Sequence, residues 1–276
     1  MQKKIVSKIV KPTINQIAKY IPGESLINGK SDVIKLSSNE SPFKVPTKVS
    51  AIFERLVSEF NLYPDGDSNI LKKSLSKNFK INFSQIICGN GSDDILSLVA
   101  QAFSDGNSEI ICSQYGFIYY PIVAKISGAK VLTAKTDGLN ISCKNILSLI
   151  TKKTKIIFFA NPNNPTGTII LRDELIKFIS NVPKNVIIVI DGAYSEFVTN
   201  KNYSNGLDLV KKFPNIIVTR TFSKIYALAG LRLGWAYSSK SIIEILEKIR
   251  GPFNVNSIAQ EVGSMILKEK IGRAHV

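Results

Sequence analysis

Histidine is almost absent from this 276-residue chain: the only one is His275, beside the C-terminus. Ser-His-Asp hydrolysis, Cys-His proteolysis and zinc hydrolysis through a His-Glu-x-x-His helix all need an imidazole in the body of the fold, so these classes are excluded. Cysteine is nearly as scarce. Cys88, Cys112 and Cys143 are odd in number and far apart, which suits buried thiols and suggests neither a disulfide framework nor a zinc knuckle; no metal site is expected. Acidic residues are few, 21 against 36 basic ones, leaving a formal net charge of +15. Such a balance could serve nucleic acid, but the lysines (Lys48, Lys72, Lys73, Lys125, Lys152, Lys153, Lys211, Lys212) are scattered, with no arginine-rich stripe and no nucleic-acid-binding motif. A solvated basic surface that favours anionic substrates is the reading, with no nucleic-acid partner. Long apolar runs are missing too. None approaches a membrane span, and Lys3, Lys4, Lys8 and Lys11 interrupt the stretch that a signal-peptide core would occupy. A cytoplasmic protein with no membrane partner is expected.

What is present is material for a core. With 44% hydrophobic and 21% charged residues, the chain can bury a sizeable interior as one large α/β domain or two domains. From about residue 70 onward, short apolar runs alternate with helix-period segments. The runs predict strands at 86–88, 109–112, 130–133, 155–160, 185–190, 215–219 and 234–237. The intervening segments predict helices at 69–78, 93–103, 119–126, 172–180 and 241–249. Alternation of this kind implies an α/β fold with a largely parallel sheet and helices on its faces, whose ligands sit beyond the carboxyl ends of the strands. Residues 1–45 differ: Pro12, Pro22 and Pro42 break them up, Pro46 follows, and regular periodicity is slight. They read as an arm or part of a smaller domain.

The chemically loaded residues fall just after the predicted strands. Residues 219–235 place Lys224 and Arg232 among Thr221, Ser223, Gly230 and Gly234. Small residues allow close approach, hydroxyls and a guanidinium can hold a phosphate, and a lysine among apolar neighbours can act as a nucleophile. A phosphorylated aldehyde would suit that spacing; a solvated pair on an ordinary loop is the alternative. Gly89-Asn90-Gly91-Ser92-Asp93-Asp94 follows a strand and opens a helix. It can cradle a phosphate at the helix N-terminus or be a plain glycine turn with Ser92 as N-cap, and it matches neither the dinucleotide fingerprint nor the P-loop. The aromatic stretch from Tyr115 to Pro121 can stack on a flat heterocycle or simply pack in the core. Asn161-Pro162-Asn163-Asn164-Pro165-Thr166-Gly167 forms a rigid turn able to aim an amide at a ligand. Asp191-Gly192-Ala193-Tyr194 ends a strand with a carboxylate that would be costly to bury without a cation.

In order along residues 11–260, seven motifs resemble the fold-type I aminotransferases that use pyridoxal phosphate, most closely the histidinol-phosphate aminotransferase family. They are Leu36-Ser37-Ser38-Asn39-Glu40-Ser41-Pro42, Tyr63-Pro64-Asp65-Gly66, the Gly89 to Asp94 turn, Asn163 to Gly167, Asp191 to Tyr194, Ser223-Lys224 with Arg232, and Pro252-Phe253-Asn254-Val255-Asn256. The resemblance implies a cofactor-binding Lys224 that forms a Schiff base and shuttles a proton. It further implies Asp191 at the pyridinium nitrogen, Tyr194 and Asn164 at the ring hydroxyl, and Phe117 stacked on the ring. Arg232, Ser223, Thr221, Ser92 and Asp93 would hold the phosphate, with Tyr63 reaching it from a partner subunit in a homodimer. Tyr20 and Asn39 match substrate-facing positions.

The implied reaction exchanges an amino group between glutamate/2-oxoglutarate and histidinol phosphate. A decarboxylase of a phosphorylated amino acid, such as threonine phosphate, or an aminotransferase of another aromatic amino acid would use the same scaffold. The resemblance also implies a large cofactor domain at 46–270, preceded by an arm and part of a small domain at 1–45. Relatives run on beyond residue 276 into the rest of that small domain, which carries the carboxylate-binding arginine. Residues 271–276 read as the translation of a sequencing adapter and so as a non-native tail.

Overall fold

A computed structural model describes residues 9–21 and 33–269; the expected tail at 271–276, His275 and Pro22 lie outside them. Seven apolar runs form one sheet: β1 (Ile86–Gly89), β2 (Glu109–Ser113), β3 (Lys130–Ala134), β4 (Thr154–Ala160), β5 (Ile187–Asp191), β6 (Ile216–Thr221) and β7 (Gly234–Ser238). Their spatial order is β1-β7-β6-β5-β4-β2-β3. The contiguous run β6-β5-β4-β2-β3 is parallel, whereas β7 runs antiparallel to both β6 and β1. The reversal follows from chain length. Residues 222–233 between β6 and β7 carry no α-helix, and a parallel return would need a helix-sized crossover.

Eight helices are described: α1 (Lys48–Val57), α2 (Asn69–Phe79), α3 (Ser92–Phe103), α4 (Tyr119–Ser127), α5 (Cys143–Ser148), α6 (Arg172–Asn181), α7 (Lys240–Ile249) and α8 (Ser257–Ile266). Alternation along the strands divides the core into two layers. Ile111, Ile157, Phe159, Ile188, Ile190, Val218 and Trp235 face α2, α5, α6 and α8 through Leu71, Leu75, Ile146, Leu175, Phe178 and Val262. Ile110, Cys112, Ile156, Phe158, Val189, Ile217 and Ala236 face the other way, toward α3, α4 and α7 through Ile95, Val99, Val123, Ala124, Ile243 and Leu246. The expected α/β architecture with helices on both faces is therefore observed. Among the described residues, no helix is long and apolar enough to cross a membrane.

Three helices, α1, α5 and α8, lie outside those predicted from sequence. Helix α5 is a single short element, capped where the Ser142 hydroxyl accepts from the Asn145 amide. Helix α1 follows Pro46 and Thr47 in a stretch whose prolines read as irregular, and Leu56 is its one buried residue. It is tied to α8 by an Arg55–Glu261 ion pair and to the chain beyond α8 by a Lys48–Glu269 pair at 2.8 Å. The described part of the arm bonds to α4. Lys11 donates to the Ile126 carbonyl at 3.2 Å, and Lys125 donates to the Gln16 carbonyl at 3.1 Å.

Candidate active site

Because β7 is reversed, its first residue and the last residues of β1, β2, β4, β5 and β6 share one edge of the sheet. A cavity of about 690 Å³ opens there, lined by Tyr20, Asn39, Ser92, Asp93, Phe117, Asn164, Tyr194, Thr221, Ser223, Lys224 and Arg232. Eleven of the thirteen site residues named from sequence thus meet in one hollow, although they come from segments spread over most of the chain. Asp191 and Tyr63 are the two that do not line it.

Lys224 stands on the loop after β6. Its Nζ donates to the carbonyl oxygens of Ser38 at 3.1 Å and Asn39 at 3.2 Å, and it lies 5.6 Å from the centre of the Tyr194 ring. Tyr194 is fixed in turn, its hydroxyl accepting from Asn39 Nδ2 at 3.0 Å. The segment at residues 38–39 therefore touches the amine and the phenol together. Asn39 holds a left-handed φ of 50°, which places its backbone carbonyl toward the lysine while its side chain reaches the tyrosine. Asn164 joins the wall from the rigid turn after β4, where Asn161 and Asn163 are buried. Asn161 exchanges bonds with Ile170, donating to its carbonyl at 3.1 Å and accepting from its amide at 2.9 Å.

Asp191 is buried at the end of β5, 4% exposed. Its Oδ2 accepts from the Tyr120 hydroxyl at 2.9 Å and its Oδ1 from the Ala193 amide at 3.1 Å. Burial pushes this carboxyl above the ordinary carboxylate range, and the two donated hydrogen bonds pull against that rise. No lysine or arginine among the described residues pairs with it. Tyr120 is fully buried; burial, with the Asp191 charge beside it, pushes its phenol well above its ordinary value, so it acts as a donor. Its ring stacks on Phe158, with centroids 5.4 Å apart, and meets Phe117 edge-on at 5.6 Å. One phenol thus braces both the acid and the aromatic wall. The sequence reading included Tyr120 in its aromatic stretch without singling it out; its place on the apolar face of α4, with Val123 and Ala124, was the available signal.

The opposite end of the cavity is built for an anion. Arg232, in the left-handed region at φ 52°, points its guanidinium at the turn after β1. Its Nη2 lies 3.2 Å from Asp93 Oδ2, and its Nη1 donates to the Ala229 carbonyl at 3.1 Å and reaches Ser223 Oγ at 3.4 Å. Gly91 is required on two counts: φ is 87°, and a Cβ there would sit 2.5 Å from Arg232 Nη2. Gly91, and not Ser92, is the cap residue, since α3 begins at Ser92 and no side chain caps it. The first-turn amides of α3 therefore stand at this end of the cavity without a side-chain cap, in the field of the helix dipole.

Tyr63 projects elsewhere. It is 81% exposed and stacks on Phe253 at 4.5 Å. The three cysteines are buried and unpaired, and burial pushes all three thiols up to about 12, so they are inert packing groups.

The residues fit pyridoxal phosphate at three points. Asp191 has no cationic partner and would be completed by a protonated ring nitrogen. Arg232, Ser92, Thr221 and Ser223 converge where a phosphate would lie. Lys224 supplies the one amine in the cavity lining. A family profile described as "Aminotransferase class I and II" matches residues 31–275. The chain is 45% identical over 255 residues to a histidinol-phosphate aminotransferase of Pelagibacter ubique, covering 92% of this chain and 71% of that protein. It is 40% identical over 253 residues to the protein of that name from Paramagnetospirillum magneticum, covering 92% and 70%. Among solved structures, the histidinol-phosphate aminotransferase of Clostridium acetobutylicum superposes with a TM-score of 0.76 at 26% identity, over 84% of this chain and 68% of that one. The Sinorhizobium meliloti protein of the same name, in complex with pyridoxal-5'-phosphate, superposes with a TM-score of 0.80 at 23% identity, over 84% and 63%.

Proposed function

This chain belongs to the class I and II aminotransferase family, and from that premise we propose that it exchanges an amino group between histidinol phosphate and 2-oxoglutarate. The observation that carries the reading is the meeting of Lys224, Arg232 and their flanking hydroxyls in one cavity at the sheet edge where Asp191 is buried. When bound, pyridoxal phosphate supplies a carbonyl that takes up the amino group and a ring that accepts the electron pair left when the substrate's α-proton departs.

The protein's part is to hold, orient and move protons. Arg232, Ser223, Thr221 and the first-turn amides at Ser92 and Asp93 fix the phosphate, which sets the ring's distance from Lys224. Asp191, as a carboxylate, would keep a proton on the ring nitrogen, and Tyr120 holds that carboxylate in place. Phe117 would cover one face of the ring. Tyr194 and Asn164 would donate to the ring hydroxyl oxygen. Lys224 Nζ would hold the cofactor by its aldehyde carbon and, once the substrate's amine takes its place there, would be free to act as the base that moves the α-proton. Tyr20 and Asn39 border the substrate side. Tyr63, exposed and outside its own cavity, is suited to reach the phosphate of a partner subunit, which makes the working form a homodimer.

An absorbance titration with pyridoxal phosphate, followed by mixing with histidinol phosphate and 2-oxoglutarate, tests the proposal. The expected result is a visible band that is lost in Lys224→Ala, and appearance of glutamate. A band of unchanged intensity in that variant would overturn the lysine's role. Carbon dioxide release without glutamate would make the protein a decarboxylase instead.

A further inference from the structure

The Pro252 to Asn256 motif takes no part in the cavity, yet one of its residues reaches the phosphate end from behind. Asn254 Nδ2 donates to Asp94 Oδ2 at 3.1 Å and to the Cys88 carbonyl at 3.2 Å. The same Asp94 oxygen accepts from the Asn90 amide at 3.0 Å. One carboxylate oxygen thereby ties the turn's second residue to a side chain 160 residues beyond Asp94. On its other side, Asn254 Oδ1 faces Arg250 Nη1 at 3.5 Å. Arg250 is itself anchored by an ion pair to Glu247 and a 3.4 Å approach to Asp67. Glu247 is bonded to the buried Lys72 at 2.7 Å. The amide is therefore oriented from both ends, guanidinium at its oxygen and carboxylate at its nitrogen. An aspartate could not satisfy that arrangement, because it would set two carboxylates against each other.

Building on the cofactor reading above, we propose that Asn254 is a positioning residue for the cofactor's phosphate: acting through Asp94, it holds residues 89–94 in the shape that presents the first amides of α3. Gly89 has little slack to compensate, since a Cβ on it would lie 2.7 Å from Ile95 Cγ1 and 3.2 Å from Asp94 Oδ2. Loss of the tether frees the turn and weakens grip on the phosphate, but leaves Lys224, Asp191 and Phe117 untouched.

Comparing two ligands separates this role from general damage: pyridoxal phosphate, and pyridoxal, which has the same ring and aldehyde without the phosphate. Affinity is read from the visible band in the full chain and in Asn254→Ala, Asn254→Asp and Asp94→Asn, with thermal unfolding of each cofactor-free protein as a check on folding. Asn254→Ala and Asp94→Asn should bind pyridoxal phosphate about tenfold more weakly, and Asn254→Asp more weakly still. Affinity for pyridoxal should match the parent in all three. Parent-like affinity for pyridoxal phosphate in Asn254→Ala overturns the proposal, as does an equal loss for both ligands. Absence of any band in the parent itself would overturn the cofactor reading, and this inference with it.

Discussion

Asp191 is the residue on which the fold and the chemistry make opposite demands. The proposed chemistry needs its charge, and burial penalises that charge, lifting the carboxyl above its ordinary range. For stability, an acid whose folded value lies above its unfolded value favours the fold fully below the ordinary carboxylate range. That contribution is lost as pH rises through the raised folded value. Asp191→Asn keeps an oxygen for the Ala193 amide and turns an NH2 toward the Tyr120 oxygen, much as the protonated acid would present its O–H, and it removes the titration. Without cofactor, the variant should match the parent in acid and become the more stable of the two as pH rises, by a few degrees in unfolding temperature. The same variant should bind pyridoxal phosphate poorly. A difference from the parent that stays constant across pH would mean that the buried charge is not what the substitution relieves. Such coupling could not be read from sequence: the Tyr120 hydroxyl that opposes the rise is 71 residues from the acid it touches, and Asn254 is 160 from Asp94. Residue type and position did single out Asp191, Lys224 and Arg232 as candidates, Asp191 at the end of β5, Lys224 just after β6 and Arg232 just ahead of β7.

At the level of elements, the site depends on how closely the start of β7 lies against the turn after β1. A Cβ on Gly234 would stand 2.3 Å from the Ser92 amide nitrogen and 2.5 Å from the Gly91 carbonyl carbon. These are backbone atoms, so no rotamer change relieves the contact. Gly234→Ala should destabilise the protein by about 2–3 kcal/mol, seen as an unfolding temperature several degrees lower. Loss of phosphate affinity should accompany it, since the displaced backbone carries the α3 amides. A fully stable Gly234→Ala protein would show that the two elements can separate without cost. Six of the seven strands were legible because they are buried almost throughout and read as apolar runs; the edge strand β3, where only Ala134 is buried, was legible from its place in the alternation of runs and helices. The exception in direction, β7, was not legible as such, since nothing in Gly234 to Ser238 itself encodes which way it runs; the helix-free connection before it does. Helix α1 was missed for the converse reason. It lies at the rim, with Leu56 alone buried, and its helical-period stripe of Val49, Ile52, Phe53, Leu56 and Val57 was overshadowed by the prolines before it.

For the molecule as a whole, the strand order has a consequence in time. β1 has a single neighbour in the sheet, β7, and the two are far apart along the chain, as the bond between Gln85 and the Ser238 carbonyl across 153 residues illustrates. Closing so long a loop is entropically slow. During synthesis, at about 5–20 residues per second, β1 would wait roughly 10–30 seconds for the strand it pairs with. The turn that follows β1 is the proposed phosphate cradle, so on that proposal the binding site cannot precede that event. Trp235, the only tryptophan, lies in β7, fully buried and tilted against Phe79 at 4.9 Å, and reports the docking directly. On refolding from denaturant, far-ultraviolet dichroism should recover first, and tryptophan fluorescence and cofactor binding should then return together. Cofactor binding that returned ahead of Trp235 burial would contradict this order. The strand inserted last in sequence is thus the keystone in assembly: a chain stopped before residue 234 would carry Asp191 and Lys224 yet leave β1 without a neighbour and the phosphate turn without a support.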